Sequence, residues 1–400
     1  MLDRPAPIMT SDPGSFARHT ILQRLPAIID RVLAGNDYAE LQRRRLLALR
    51  DEVAGGWRLG RLSQATPDRA AWDAACALWE GRTWLGIPWF FAEAYFYRRL
   101  LEAVGYFDAG PTAGQDPFRS QKLAELGDAA LDGLAGVLGR LPAAPAERCA
   151  ALLLCALWGN RADLTFDGMA QTAYAGLESG HAGGLLIDQR AVACEKLAGG
   201  LRRVDFINDN AGLELLFDLA LADFLLKYGM AGQVHFHLKS QPFFVSDAMI
   251  ADVHDALERV RSRRDLAALG RRLADALAGG RLALHAQPFW VMPAGFEALP
   301  ADLRADLAQA DMVILKGDAN YRRLLDDRHW PATASLAVLT SYFPAPYVAI
   351  RAIKAELIVD LSEDVVRRLH VADPQWMVNG QYGLIRVVEP PASRNTGGRA

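Results

Sequence analysis

Four hundred residues, 51% of them hydrophobic and 23% charged, can bury a sizeable core, which excludes a disordered chain. The 44 basic and 47 acidic side chains leave a formal charge of −3, too balanced for the basic footprint of a nucleic-acid binder. Four scattered cysteines (Cys76, Cys149, Cys155 and Cys194) with no CxxC pair argue against a zinc site or a disulfide framework, and Met1 to Phe16 hold no apolar stretch of signal-peptide length, so a cytoplasmic protein is expected.

From Ser15 to Trp158 apolar residues recur at three- and four-residue spacing between Pro or Gly breaks, which predicts helices near 20–34, 38–53, 68–80, 88–104, 119–140 and 146–158. The most hydrophobic run, Cys149 to Trp158, is far short of the roughly 20 residues of a membrane span and reads as a buried helix. Residues 1–165 are therefore expected to form a mainly helical subdomain, followed by a Gly-rich connector over 166–200. Within it, Phe166 to Asp188 reads as a long loop of the kind that often covers a site.

After Leu201 short apolar runs alternate with helix-period segments, the pattern of strand-loop-helix units around a mostly parallel sheet. Strands are predicted at Val204–Asn208, Gln233–Leu238, Leu282–His285, Met312–Lys316, Ala337–Leu339, Glu356–Val359 and Leu384–Val387. A helix from Ala211 to Tyr228 shows one apolar face, with Gly229 as its stop. The α/β core is expected over 201–389 and a disordered tail over 390–400, which lacks apolar content.

Open α/β sheets bind ligands beyond the carboxyl ends of their strands, and three predicted exits carry aspartate. These are Asn208-Asp209-Asn210-Ala211-Gly212, the segment from Gln241 to Asp247, and Lys316-Gly-Asp-Ala-Asn320. Helix N-capping alone accounts for any one of them, but all three share one rim. Two aspartates and an amide oxygen on one rim suit a hard divalent cation, and Asp209, Asn210 and Asp247 fit that ligand set. Glu214 could accept from substrate hydroxyls or merely complement its helix dipole.

A metal held by acids often faces a phosphate, which needs cations opposite. Only six of the 44 basic residues are lysine, and three of them, Lys239, Lys316 and Lys354, fall beside predicted strand ends. Lys354 is the best phosphate partner, the alternative being a solvated surface charge. His235 and His237 alternate along a strand, which is taken to turn at most one inward and the other outward, so they are expected to pack without forming a paired metal site, while His285 and Trp158-Gly159-Asn160 are candidates to border the pocket.

The strings Asp205-Phe-Ile-Asn-Asp-Asn-Ala-Gly-Leu-Glu214, His237-Leu-Lys-Ser-Gln-Pro-Phe-Phe-Val-Ser-Asp247, Leu315-Lys-Gly-Asp-Ala-Asn-Tyr-Arg322 and Arg351-Ala-Ile-Lys354 together resemble the damage-control phosphatases. The likeness is to the subfamily that includes the acidic-residue methyltransferase-like proteins, marked by an Arg-Thr-x-Lys motif. Trp89-Phe-Phe-Ala-Glu-Ala-Tyr-Phe-Tyr-Arg98 and Leu157-Trp-Gly-Asn-Arg-Ala-Asp163 extend it through the helical half.

The resemblance implies an α/β fold in which a helical N-terminal subdomain packs on a Rossmann-like three-layer α/β/α core. It implies a metal-dependent phosphatase acting on a small phosphorylated metabolite such as a sugar phosphate, with Mn2+, Ni2+, Co2+ or Mg2+. By motif, Asp209, Asn210 and Asp247 hold the metal and, with Lys354 at the phosphate, carry the chemistry. Glu214, Asp318, Ala319, Asn320, Tyr321, Arg322, Arg351 and Asn160 fall to the substrate. Ala352 departs from the motif's threonine. The attacking group is expected to be water, with an aspartyl phosphate as the alternative. A non-catalytic phosphometabolite-binding protein is the reading from another class; a carboxyl methyltransferase using S-adenosylmethionine ranks lower, since no GxGxG loop follows the first strand. Oligomeric state is not legible.

Overall fold

A computed structural model describes residues 4–159 and 184–389. Among these, seven strands form one sheet: β1 Leu185–Asp188, β2 Leu201–Ile207, β3 Ala231–Lys239, β4 Leu282–Gln287, β5 Met312–Lys316, β6 Tyr347–Ala352 and β7 Gly383–Val388. Their spatial order is β1-β7-β6-β5-β2-β3-β4, with every pairing parallel except β6 with β7. From β2 the chain winds outward through β3 to β4, then returns to the other side of β2 and winds through β5 to β6. The gap between β2 and β5 is therefore the switch point at which such sheets open a crevice.

Two layers of helices cover the sheet because its central strands are apolar on both faces. On one face Val204, Phe206, Val234, Phe236 and Ile314 pack with the helices Asp128–Arg140, Pro145–Trp158 and Gly212–Lys227. On the other, Ile207, Val313, Leu315 and Ala349 pack with Trp290, Leu303 and Tyr321. A third cluster lies within the helical half, where Leu25, Leu46, Trp72, Trp84, Tyr95 and Phe96 meet. The segment Cys149 to Trp158 is a buried helix as expected. The four cysteines are free thiols. No helix among the described residues is long and apolar enough to cross a membrane.

Several elements differ from expectation. The helix predicted over 119–140 breaks into Arg119–Ala124 and Asp128–Arg140, because Gly127 is extended and starts the second. Helix Gly212–Lys227 is buried nearly all round, not on one face, since it lies between the sheet and four further helices. Ala337–Leu339 lies in a one-turn helix, Leu336–Leu339, and Glu356–Val359 belongs to no strand. The strand is instead Tyr347–Ala352, whose approach carries Pro344 and Pro346 and so reads as loop. Of the expected flap, Leu185–Asp188 forms the edge strand β1; residues 160–183, and the tail at 390–400, lie outside the described residues.

A buried guanidinium helps clasp the helical half to the sheet. Arg322, 3% exposed, bonds Glu93 Oε2 of helix Trp89–Val104 at 2.6 Å, takes both oxygens of Asp327 at 2.7 and 2.9 Å, and stacks 3.8 Å over the Trp89 ring. Burial pushes the Glu93 carboxyl up even with this partner in place. Removing one member of a buried ion cluster strands the others, so Arg322→Leu should cost about 3–5 kcal/mol of stability in urea unfolding. A loss within the range of a surface change would disprove the clasp.

Candidate active site

Four loops meet where the sheet opens. Asn208 to Ala211 leave β2 and Ser240 to Ala248 leave β3; the two are tied by an antiparallel bridge between Asn210 and Asp247, by Ala211 N–H donating to Ser246 O at 2.7 Å, and by Ala248 N–H donating to Asp209 O at 2.8 Å. The β3 loop holds Phe244 and Val245 at φ of +43° and +66°. A β-branched residue in that region is a true outlier, and it sits directly before Ser246 and Asp247. Gly317 follows β5 at φ +87°, and a Cβ there would stand 2.1 Å from the Asp209 carboxylate. Only glycine lets the two loops close this far.

The loops surround a cavity of about 200 Å³. Asp209, Asn210, Glu214, Ser246, Asp247, Gly317, Asp318, Ala319, Arg322, Ala352 and Lys354 line it from the α/β half, and Arg24, Trp89, Glu93 and Leu157 from the helical half. The three residues read as metal ligands and the phosphate-facing lysine thus share one cavity. Asn210 donates from Nδ2 to Asp209 Oδ2 (2.7 Å) and Glu214 Oε2 (2.9 Å), and its Oδ1 accepts from Ser246 Oγ (2.6 Å). Asp247 Oδ2 lies 3.1 Å from Lys239 Nζ, an ion pair without hydrogen-bond geometry, so this buried oxygen has no donor.

Burial, then the neighbouring Glu214 and Asp247 charges, push Asp209 well above the usual carboxylate range, and burial pushes Asp247 up as well. Asp218, one layer below, is pushed to about 6 by burial against the pull of Lys316. Lys316 Nζ is fully buried and donates to Glu214 Oε1 and Asp218 Oδ1, each at 2.9 Å, and to Ala156 O. Four carboxylates, Asp209, Asp247, Glu214 and Asp218, therefore face the two ammonium groups of Lys239 and Lys316. Even with Lys354 on the same cavity, these carboxylates outnumber the ammonium groups beside them, an excess that suits a divalent cation.

Asp318 has a different environment. Burial pushes it up, but Arg351 and Arg322 outweigh that and hold it below the ordinary carboxylate range. Arg351, fully buried, contacts Asp318 Oδ1 through Nε at 2.8 Å and Nη2 at 2.7 Å, and stacks on Tyr321 at 4.2 Å. Lys354 donates its backbone N–H to Asp318 at 3.0 Å and turns its side chain, which is exposed, into the cavity. The remaining expected substrate residues face the protein: Asn320 Nδ2 donates to Lys316 O at 2.8 Å, and Tyr321 OH accepts from Val359 N–H at 3.4 Å. Asn160 lies outside the described residues.

The histidines correct the sequence reading. A strand's period of two puts residues 235 and 237 on the same face. There they form a row with His285 of β4, away from the cavity: His285 Nε2 lies 3.1 Å from His235 Nδ1, and His237 Nε2 lies 2.9 Å from Asp205 Oδ2. Asp205, His237 and Asp306 bring ligand atoms within 4.8 Å of one another, a possible metal group. Its cationic place is taken by Arg203, which bonds Asp205 at 2.7 Å and Asp306 at 2.9 Å. Lys122, Ser246, Gly317, Arg24, Trp89 and Glu93 were given no site role in sequence, although Ser246, Gly317, Trp89 and Glu93 lie within the motif strings quoted above; Lys122 was within reach of the lysine-scarcity signal that marked Lys239, Lys316 and Lys354. Buried Lys122 donates to Asp247 O at 2.8 Å and so braces that loop from behind.

Two outcomes follow. Gly317→Ala drives a methyl into the Asp209 carboxylate, so thermal melting should show a lower Tm and titration a weaker divalent-ion site; an unchanged protein would refute the close approach. Second, an acid whose pKa is higher folded than unfolded binds more protons in the native state between the two values, so its contribution to stability falls as pH rises through that window. Asp209 and Asp247 both act in this sense. The metal-free protein should lose Tm on their account as pH rises above the ordinary carboxylate range. Asp209→Asn should flatten that slope; an equally steep slope in the variant would contradict the raised value.

A family model for the damage-control phosphatase ARMT1-like domain matches residues 20–369. Damage-control phosphatase ARMT1 of Xenopus laevis is 31% identical over 96% of this chain and 99% of its own, and that of Mus musculus is 30% identical over 98% of this chain and 100% of its own. The human relative of the same name is 29% identical over 96% of this chain. Among solved structures, a DUF89 family protein from Pyrococcus horikoshii superposes with a TM-score of 0.51 at 14% identity, covering 94% of this chain and 98% of that one, which supports the fold. With the family model spanning most of the chain and relatives matching end to end, the chain belongs to the ARMT1-like damage-control phosphatases and is a phosphatase.

Proposed function

We propose that the phosphatase requires a divalent cation, Mn2+, Ni2+, Co2+ or Mg2+, held by Asp209, Asn210 and Asp247, and that it acts on small sugar phosphates in the cytoplasm. The observation that carries this is the convergence of those oxygens with Lys354 in one cavity whose carboxylates outnumber the ammonium groups beside them. The donor set fits: carboxylate and amide oxygens suit a hard ion, and one buried oxygen of Asp247 has no hydrogen-bond donor. A cavity of about 200 Å³ is in keeping with a small metabolite. The free thiols fit a reducing compartment.

An ion bound there supplies Lewis-acid polarisation of a phosphoryl oxygen and lowers the pKa of a water. The chain does the rest. Lys354 offers an ammonium to the non-bridging oxygens, where charge grows in the transition state. Asp318, kept ionised by Arg351, orients the attacking water but is too acidic to hold its proton. Trp89, Phe244 and Leu157 wall the cavity with apolar surface, and Glu93 and Glu214 supply acceptors for hydroxyl groups. Ala352 opens the cavity wall where the subfamily motif has a threonine hydroxyl.

Phosphate release should therefore be seen with sugar phosphates in the presence of one or more of these metals. Chelation should abolish it, and Asp209→Ala should lower kcat by about 10²-fold or more, as for loss of a group acting in the transition state. Inactivity on a broad panel with every metal, or activity that survives both treatments, would overturn the proposal.

A further inference from the structure

An asparagine at a cation site is useful only one way round. Turned over, its amide would aim two N–H donors at the ion in place of an oxygen. In this chain the orientation of Asn210 is set by what faces its nitrogen: Asp209 Oδ2 at 2.7 Å and Glu214 Oε2 at 2.9 Å. Ser246 Oγ on the other side can donate or accept and so does not decide the matter. The two carboxylate oxygens do, because the reversed amide would set Oδ1 against both.

Glu214 keeps Oε2 on Asn210 because its other oxygen is held. Lys316 Nζ takes Oε1 at 2.9 Å and spends its two other donors on Asp218 Oδ1 and Ala156 O, so all three N–H bonds of the ammonium are used inside the protein. It is fully buried and absent from the cavity lining. Asp218 in turn accepts from Asn208 Nδ2 at 3.1 Å, which ties the ammonium to the end of β2. The helix Pro145–Trp158 supplies Ala156, and its end presses on Glu214 so closely that a Cβ at Gly159 would stand 2.9 Å from the Glu214 Cα.

We infer that Lys316 is a positioning residue: through Glu214 it fixes the amide of Asn210 so that Oδ1, not Nδ2, faces the cation. The inference rests on the metal reading above. It assigns Glu214 a duty toward the ligand shell in addition to any contact with substrate, and it gives the buried lysine a task beyond neutralising two acids. Groups one step behind metal ligands commonly change metal affinity by about 10- to 100-fold when altered.

The test is calorimetric titration of Mn2+ into the full chain, with circular dichroism and thermal melting to show that each variant is folded. In Glu214→Gln, Lys316 still claims the side-chain oxygen, so the new amide points N–H at Asn210 Nδ2, the two donors collide, and Asn210 turns over. Mn2+ affinity should fall by about 10- to 100-fold. Glu214→Ala removes an acceptor without adding a donor, so this less conservative change should cost less affinity. Adding Lys316→Met to Glu214→Gln frees the amide to turn and should restore part of what was lost, a non-additive result that a purely structural ion pair does not give.

Equal or greater loss in Glu214→Ala, or a folded double variant binding no better than Glu214→Gln alone, overturns the inference. Should the double variant fail to fold, the order of the two single variants decides. Failure of the unaltered chain to bind Mn2+, Ni2+, Co2+ or Mg2+ overturns the cation site itself, and the inference with it.

Discussion

Like charges crowded out of water are the constraint on which this molecule turns. Asp209, Asp247, Glu214 and Asp218 lie within the end of one sheet, the last three buried and Asp209 half-buried. Such a group cannot remain ionised unless opposite charge is built in beside it. The chain places ammonium groups, not guanidinium groups, at the two tightest points. Lys316 reaches between β5 and two helices, and Lys239 sits under Asp247. A planar fork needs a broad, flat partner, whereas an ammonium fits where three acceptors converge on a point. Arginine serves where a two-oxygen partner is available, as at Arg322 with Asp327. What these lysines leave uncompensated is the negative charge on which the proposed cation site rests.

Backbone geometry keeps that charge cluster from relaxing. Acidic side chains on independent loops would swing apart into water, and here they are prevented from doing so by contacts between main chains. The bridge between Asn210 and Asp247, the bond from Ala248 to Asp209 and the positive φ at Phe244, Val245 and Gly317 are features of one closed knot of loops. Strain of this kind persists only where the surroundings over-determine it. The surroundings are the β2 and β3 strands with Lys122 behind them, whose ammonium also binds Asp116 and Asp252.

How much of this could be read in the sequence follows from range of interaction. The helical half and the central strands are legible because their signals are local: apolar periodicity, proline and glycine breaks, and aspartates at strand exits. The same local rule misreads β6, since Pro344 and Pro346 at its approach look like loop, while the real strand carries Arg351 and delivers Lys354. Partner choice is not local. Nothing near Arg322 announces Glu93, 229 positions away, and nothing near Lys122 announces Asp247, 125 positions away. Sequence marks which side chains carry chemistry; it does not show that Arg351, Asn320 and Tyr321 spend theirs on the protein. The scarcity of lysine was the one compositional trace of the buried charge scheme.

The helical half also has a reason to exist beyond covering an apolar face. An open α/β sheet exposes its crevice to solvent, which weakens every charge interaction made there. Helix Trp89–Val104 closes this crevice with Trp89 and Glu93, and the same two side chains hold Arg322. The wall of the cavity and the clasp between the two halves are thus one set of contacts. A change that loosened the clasp would let water into the site before the chain unfolded, so the shape of the substrate space and the attachment of the helical half are constrained together.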